Sequence, residues 1–165
     1  MHLSHPLTPC LWFDTKAEDA ARFYCSVFPH SRITQVTHFP DAGQEVHGKP
    51  AGSVLMVVFE LGGQRFSALN GGPQFTFDEA VSFQVLCESQ DEIDHYWTAL
   101  TADGGEEGPC GWLKDKFGLS WQIAPAEIGE MLSADPESSA RVMSAMLKMG
   151  KIDLGALQNA FRQAG

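Results

Sequence analysis

The chain has 165 residues, 44% of them hydrophobic, which suffices for one filled core or for two small modules that share one. Its formal net charge of −10, from 11 basic and 21 acidic residues, argues against binding to nucleic acid or to anionic membranes, because both need clustered Lys and Arg. Neither a membrane-spanning apolar run nor an export signal is found, so we expect a cytoplasmic protein.

The first two thirds of the chain carry the same pattern twice. Residues 7–24 and 80–97 each predict an apolar strand, an acidic turn and an amphipathic helix that ends in two aromatic residues. A shift of 73 positions places Phe23 on Tyr96 and Pro9 on Ser82. The repeat predicts two similar modules, and a ligand would bind where they meet.

The first module is predicted over residues 1–73. Asp14 or Thr15 is the expected N-cap of its helix, and Gly62-Gly63 predicts a two-residue hairpin. Residues 40–52 contain three glycines and two prolines without periodicity, which indicates a surface loop and a candidate lid. The expected elements are strands over 9–13, 32–39, 53–61 and 64–70, with a helix over 17–28.

The second module is predicted over residues 74–125, followed by a helical extension over 126–165, all within one structural domain. Asp135 is the expected N-cap of a helix that has Pro136 at its first position. Asp153 is the expected cap of the last helix. The predicted elements of the module are strands over 81–87, 107–110, 111–114 and 119–124, with a helix over 91–100.

Alternation along the predicted strands places polar side chains on one face of each strand. If the modules enclose a cavity, these hydroxyls and amides would orient a neutral or anionic ligand, and tryptophans would add an apolar wall. Equally open is that the polar groups bond one another or buried water. For the tryptophans, packing under the helices is the more frequent role. The expected ligand-binding residues are Asn70, Ser82, Gln84, Ser120, Gln122, Trp12 and Trp112.

The order strand, helix and three strands, occurring twice, resembles the vicinal oxygen chelate superfamily, which includes glyoxalases, extradiol dioxygenases and bleomycin-resistance proteins. The chain is similar in particular to its PhnB-like branch, often labelled a 3-demethylubiquinone-9 3-methyltransferase domain family. The matching stretches are CLWFDTKAEDAARFYCSVFPHS, GSVLMVVFELGGQRFSALNGGP, AVSFQVLCESQDEIDHYW, CGWLKDKFGLSWQIAP and RVMSAMLKMGKIDLGAL. The resemblance implies an α+β fold in which two βαβββ modules form cupped mixed sheets around a shared cavity.

In metal-using members of this superfamily, the ligands come from the first and last strands of each module. The corresponding positions here lie near Pro9, near Asn70, at Ser82 and at Gln122. Proline has no donor atom in its side chain, and a hydroxyl with two neutral amides binds a divalent ion poorly. We therefore expect no metal and no other cofactor, and the resemblance does not transfer metal-dependent chemistry.

The sequence thus predicts a small-molecule-binding protein of the glyoxalase-like fold, with its substrate and any catalytic residues unidentified. One alternative is a divalent-metal-dependent lyase, isomerase or dioxygenase that uses an unusual ligand such as His5. A second is the methyltransferase of the family label, which the lack of a GxGxG turn after any strand disfavours. A third is an interaction scaffold. The resemblance also implies a homodimer, with or without exchange of modules.

Overall fold

The structure is a computed structural model, and it describes residues 7–162. The chain divides into two compact units, Met1–Thr76 and Phe77–Gly165. Each unit contains one four-stranded mixed sheet built in the order βαβββ, which confirms the predicted α+β fold of two modules. The helices that follow the second sheet belong to the second unit. The expected boundaries at residues 73 and 125 stay predictions.

The elements of the first unit are β1 (Cys10–Phe13), α1 (Ala17–Val27), β2 (Arg32–His38), α2 (Gln44–His47), β3 (Val54–Leu61) and β4 (Gln64–Asn70). The predicted loop over residues 40–52 therefore includes one short helix. The sheet order is β1-β4-β3-β2, and β1 runs parallel to β4 while the other pairs are antiparallel. Gly62 and Gly63 have φ angles of 53° and 88°, the conformation that a two-residue hairpin between β3 and β4 requires.

Helix α1 covers one face of the first sheet. The buried ring of Tyr24 stacks on Phe59 with 6.2 Å between ring centroids. Phe59 lies opposite Phe66 in the ladder between β3 and β4, so both side chains point to α1. Asn70 lies four residues beyond Phe66 on β4 and shares that face.

The elements of the second unit are β5 (Ser82–Cys87), α3 (Gln90–Thr101), β6 (Glu106–Glu107), β7 (Trp112–Lys114), β8 (Ser120–Pro125), α4 (Ile128–Ser133), α5 (Pro136–Met146) and α6 (Leu154–Arg162). The sheet order is β5-β8-β7-β6, with β5 parallel to β8. Helix α3 covers the face that bears Glu107, Leu113 and Trp121, which are cross-strand neighbours, and the Trp97 indole of α3 donates to Glu107.

The C-terminal helices begin where their predicted caps lie. The Asp135 carboxylate accepts from the backbone N–H groups of Glu137 and Ser138 at 3.1 and 3.0 Å, and Pro136 is the first residue of α5. The Asp153 carboxylate accepts from the N–H of Ala156 at 2.8 Å at the start of α6. None of the helices between residues 7 and 162 combines the length and the apolar character that crossing a membrane requires.

The segment between α5 and α6 is bonded to the second module. The backbone N–H groups of Cys110 and Gly111 donate to the carbonyls of Met149 and Gly150 at 2.7 and 2.8 Å. The Gln90 side chain, at the start of α3, donates to the carbonyl of Ile152 and accepts from the N–H of Leu154. The extension is thus joined to both α3 and the entry of β7.

The two modules correspond with different shifts in helix and strand, and this corrects the repeat register predicted from the sequence. The helices keep the predicted shift of 73 positions, since Tyr24 and Trp97 occupy the same buried position. The strands need a shift of 74, because Phe13 and Cys87 are the last residues of β1 and β5 and both face the helix. The connection from strand to helix has three residues in the first unit and two in the second.

The strand pairing also shows which polar positions of the two modules correspond. Phe13 pairs with Asn70, and Cys87 pairs with Pro125, so Asn70 corresponds to Pro125. Gln122 lies three residues before Pro125 and therefore corresponds to Ser67. Because successive residues of a strand alternate between its two faces, Asn70 and Gln122 are not equivalent positions.

Candidate functional site

Polar side chains of the second unit lie together on the face of its sheet opposite α3, here called the far face. Residues directly opposite in neighbouring strands point to the same side of a sheet. One row across the far face consists of Glu106, Lys114, Ser120 and Ser82, from β6, β7, β8 and β5 in turn. The adjacent row consists of Trp112, Gln122 and Gln84. Five of the seven predicted ligand-binding residues therefore share one surface.

A chain of hydrogen bonds fixes the amides of the second row. Gln122 Nε2 donates to Ser82 Oγ at 2.7 Å, and Gln84 Nε2 donates to Gln122 Oε1 at 3.3 Å. Gln122 is half-buried whereas Gln84 is exposed. These side chains bond one another, which is one of the two alternatives that the sequence left open. The exposed amide at the end of the array is that of Gln84.

Ser120 differs from its neighbours. Its side chain is fully buried, at 0% exposure, yet its hydroxyl has no hydrogen-bond partner in the part of the chain that the structure describes. A buried hydroxyl left in this state costs about 1–3 kcal/mol. The sheet therefore holds at Ser120 a buried polar group for which residues 7–162 supply no hydrogen-bond partner.

The Ser120 side chain lines a cavity of about 390 Å³ in the second unit. This volume lies within the range of small-molecule sites, roughly 300–1,000 Å³. The wall combines the aromatic ring of Trp112, the Gly108-Pro109 segment, and charged side chains. The lining residues are Glu79, Glu106, Glu107, Gly108, Pro109, Trp112, Leu113, Lys114 and Ser120.

An ion pair forms the charged part of this wall. Lys114 Nζ lies 2.6 Å from Glu79 Oε1. The hydrogen bond between them, reinforced by their opposite charges, raises the pKa of Lys114 and lowers the pKa of Glu79. Both side chains keep substantial contact with solvent, so the pair contributes little to stability. It does hold the Lys114 ammonium beside the cavity.

Asn70 has a structural role in the first unit. Its Oδ1 accepts from the N–H of Ala17, the first residue of α1, at 2.9 Å, and its Nδ2 donates to the carbonyl of Val54 at 3.0 Å. The predicted N-cap, Asp14 or Thr15, was wrong, because the preceding residue is Lys16 without a side-chain cap and Asn70 takes that function. Asn70 borders a cavity of about 360 Å³, but its amide is already bonded at both ends.

The predicted tryptophans lie on the faces opposite the helices of their own units. Trp12 lies opposite Leu69, away from α1, and its Nε1 donates to the carbonyl of Gly72 at 2.8 Å. Its ring packs edge-to-face on Phe75 with 5.0 Å between centroids. Trp112 points away from α3 and lines the cavity beside Ser120. A role of either in ligand binding stays a prediction.

The residues of the far face do not fit a divalent metal ion. A hydroxyl and two neutral amides that already bond one another are weak ligands. Within residues 7–162, no group of three or more His, Cys, Asp or Glu side chains is arranged to hold an ion. His5, the alternative ligand, lies outside the described residues. No catalytic step through a metal follows from these side chains.

Three residues beside Ser120 were not predicted as part of the site. Lys114 follows Trp112 by two positions on one strand, so alternation from a tryptophan already assigned to the cavity could have found it. Glu106 required the register of β6 against β7. Glu79 lies in the segment before β5 and carries no sequence signal for its contact with Lys114.

The comparisons with known proteins agree with this fold. The 3-demethylubiquinone-9 3-methyltransferase family model matches residues 5–124, and no curated protein matches the sequence. Among solved structures, the PhnB protein from Bacillus cereus is 34% identical with a TM-score of 0.62, over 72% of this chain and 98% of that chain. The predicted resemblance to the PhnB-like branch is thereby confirmed.

Two fosfomycin resistance proteins share the fold at lower identity. FosX from Mesorhizobium loti is 12% identical with a TM-score of 0.56, over 81% of this chain and 100% of that chain. A FosX variant from Listeria monocytogenes is 15% identical with a TM-score of 0.50, over 76% of this chain and 94% of that chain. That protein was complexed with Mn(II) and 1S,2S-dihydroxypropylphosphonic acid.

The name of the matching family refers to a methyltransferase, and the described sheets do not fit the common site for S-adenosylmethionine. That site lies at the edge of a doubly wound parallel sheet, behind a glycine-rich turn. Here each sheet has one parallel pair of strands, and Gly62-Gly63 joins two antiparallel strands. No methyl-transfer step is derived from the described residues.

Proposed function

Since the chain belongs to the 3-demethylubiquinone-9 3-methyltransferase family, whose PhnB relative shares its fold, we propose that it binds a small organic molecule in the cavity of its second unit. The Ser120 hydroxyl is the observation that carries the proposal, because it is fully buried, has no hydrogen bond to any residue that the structure describes, and is part of the cavity wall. A ligand polar group at that point would satisfy it. The binding needs no metal ion.

The surroundings of Ser120 support the same interpretation. Trp112 offers an aromatic surface for an apolar group, and indoles contribute large contact areas at little cost in side-chain entropy. Lys114 and Glu79 add polar groups at the rim. The bonded amides of Gln122 and Gln84 hold the neighbouring row in one arrangement, so the surface is largely organised before a ligand binds.

A ligand screen with a matched pair of variants tests this function. The full-length protein is screened by thermal shift against small molecules that include cations, anions and neutral compounds, and hits are confirmed by NMR at the indole N–H of Trp112. Ser120→Ala is expected to weaken binding of the hits by about three- to tenfold, the worth of one neutral hydrogen bond. Ser67→Ala, a serine substitution in the other sheet, should leave binding unchanged.

The two variants also separate binding from stability. If Ser120 serves only to fill space, Ser120→Ala leaves the affinity of every hit unchanged, and that result would overturn the proposal. A set of hits whose binding never shifts the Trp112 indole signal would overturn it as well. Weaker binding in Ser120→Ala, with a folded protein of unchanged or raised thermal stability, supports it.

A homodimer is part of the proposal. Leu147 and Met143, near the end of α5, are 64% and 39% exposed, and apolar groups of this size at a surface favour contact with another protein chain. Sedimentation equilibrium at micromolar concentration should give twice the chain mass of 18.0 kDa. A mass of one chain, or a dimer unchanged by Leu147→Lys, would count against this contact.

A further inference from the structure

The charges around the cavity of the second unit are unevenly distributed. Four ionisable side chains line it, and three of them are glutamates. Lys114 is engaged with Glu79 at 2.6 Å. Glu107 Oε1 accepts from the Trp97 indole at 2.9 Å. The remaining carboxylate, that of Glu106, forms no side-chain hydrogen bond or ion pair with any described residue, but its negative charge lies near enough to Lys114 to help raise the pKa of that ammonium group.

Glu106 lies on the same row of the far face as Ser120. It is the cross-strand neighbour of Lys114, which is in turn the neighbour of Ser120. Since adjacent strands lie about 4.8 Å apart, the two outer residues are separated by roughly 10 Å at the backbone. A ligand that contacts both would be elongated, with one polar group at each end.

The two ends of this row differ in what they recognise. The Ser120 hydroxyl can donate or accept one hydrogen bond, so it suits a neutral polar group. The exposed Glu106 carboxylate attracts positive charge. Lys114 lies between them in this row. Trp112, two residues earlier on the same strand, lines the same cavity, and an indole ring favours both apolar groups and a nearby cation.

The carboxylates beside this cavity would repel an anionic ligand. Such a ligand would approach the carboxylates of Glu106 and Glu79, because the carboxylate of Glu107 lies on the face covered by α3, and it would have to draw Lys114 away from Glu79. The net charge of −10 over the whole chain acts in the same direction, because it attracts cations and repels anions during encounter. The sequence-based expectation of a neutral or anionic ligand did not include these glutamates.

We infer that the cavity selects an elongated amine, with its ammonium group at Glu106, an apolar or aromatic body against Trp112, and a neutral polar end at Ser120. This inference rests on the proposed function, because it specifies the ligand of the same cavity. It is independent of whether a reaction follows binding.

A series of three probes on one scaffold tests the inference. Phenylpropylamine, phenylpropanol and phenylpropanoate have the same body and differ in charge, and each is titrated into the full-length ¹⁵N-labelled protein at pH 7. The reporters are the indole N–H of Trp112 and the backbone N–H of Ser120. We expect the amine to bind about fivefold more tightly than the carboxylate, the size of a partly exposed charge interaction.

Two isosteric variants assign this preference to one residue. Glu106→Gln removes the carboxylate without breaking any described bond, and it should reduce the preference for the amine to about twofold or less. Glu130→Gln makes the same charge change on α4, at an exposed residue outside the cavity wall, and should leave the preference unchanged. Raising the salt concentration should lower the preference in the unmodified protein.

The outcomes distinguish the inference from the function on which it rests. Equal affinity for the three probes, or tighter binding of the carboxylate, with shifts at Trp112 and Ser120, would overturn the amine preference and leave the cavity as a binding site. The same loss of preference in Glu130→Gln as in Glu106→Gln would overturn the role of Glu106. The absence of shifts at both reporters with all three probes would count against the cavity itself.

Discussion

The two modules share a strand order but use their polar side chains differently. In the first, the amide of Asn70 is buried and joins the start of α1 to the carbonyl of Val54. In the second, the corresponding residue is Pro125, and the amides of Gln84 and Gln122 lie on the opposite face of the sheet. The same backbone arrangement therefore supports a helix cap in one module and a candidate binding surface in the other.

The connection between strand and helix explains part of this difference. In the second module Ser89 caps α3 locally, with its Oγ accepting from the N–H of Glu92 at 3.2 Å. In the first module the connection is one residue longer and α1 lacks a local side-chain cap. Asn70 supplies the missing acceptor from a neighbouring strand. A single extra residue thus changes which part of the chain stabilises the helix.

The largest expected effect comes from removing this buried amide. Asn70→Ala should lower the free energy of unfolding by about 2–4 kcal/mol, because it removes the partner of the buried N–H of Ala17 and that of the partly buried carbonyl of Val54. Gln122→Ala, which removes an amide from the partly exposed array, should cost less than about 1 kcal/mol. Urea denaturation of both variants measures the difference, and equal costs would contradict the structural role of Asn70.

The next largest effect is expected at Gly71, whose counterpart in the second module is an alanine. Gly71 and Ala126 are equivalent, since their N–H groups donate to the last residues of β1 and β5 at 2.9 Å each. A Cβ at Gly71 would lie 2.2 Å from the Trp12 ring, whereas Leu86 stands at the Trp12 position of the second module. Gly71→Ala should therefore cost about 1–3 kcal/mol through overpacking.

A second background tests this cause. In a Trp12→Ala protein the ring that Gly71 must avoid is gone, so adding Gly71→Ala should have little further effect on the urea midpoint. A full additional cost in that background would show that the backbone, rather than the indole, requires glycine at this position.

A smaller effect of opposite sign is expected at Ser120. Replacing it by alanine removes an unsatisfied buried hydroxyl, so the ligand-free protein should become more stable, by up to about 1–2 kcal/mol. Ser67→Ala in the first module removes a hydroxyl that donates to the carbonyl of Pro9 at 3.4 Å, and it should be neutral or slightly destabilising. Thermal unfolding compares them, and a destabilised Ser120→Ala would indicate a protein partner for that hydroxyl.

The smallest effect is the acid titration of Glu79. The hydrogen bond from the Lys114 ammonium lowers the pKa of Glu79 below its usual value of 4.5. The pair therefore stabilises the fold above that pH, and this contribution is lost as the pH falls through the lower, folded-state pKa. NMR of the side-chain carboxyl should show a midpoint below 4.5, and Lys114→Met should return it upward. An unchanged midpoint would mean that the pair does not persist in solution.

Most of the fold followed from sequence patterns because they are local. The hairpin at Gly62-Gly63, the cap at Asp135 and the alternation of Ser82 with Gln84 each depend on a few neighbouring residues, and each lies in the structure where it was predicted. The predicted shift of 73 positions was wrong for the first strand of each module, because it was derived from the aromatic residues at the ends of the helices. The extra residue lies between strand and helix, where no periodicity reveals it.

The candidate site was less predictable because it depends on partners distant in the sequence. Ser120 was assigned to the correct face, but the lack of a partner for its hydroxyl among the described residues is a property of the assembled sheet. The contact of its neighbour Lys114 with Glu79 spans 35 positions of the sequence. Ligand binding by Asn70 stays a prediction. Its bonds to Ala17 and Val54 were not foreseen because both partners are backbone groups, which leave no trace in side-chain patterns. Burial and satisfaction of polar groups are properties of the assembled sheet.

The anchoring of the C-terminal extension has a practical consequence for expression of shorter forms. The family match ends at residue 124, which would suggest a natural point of truncation. A fragment cut there would lose the acceptors of the Cys110 and Gly111 N–H groups, which immediately precede Trp112, and the two bonds of the Gln90 side chain to Ile152 and Leu154. Binding measured on such a fragment would report on a damaged wall, so the intact polypeptide is the proper material for every assay of the cavity.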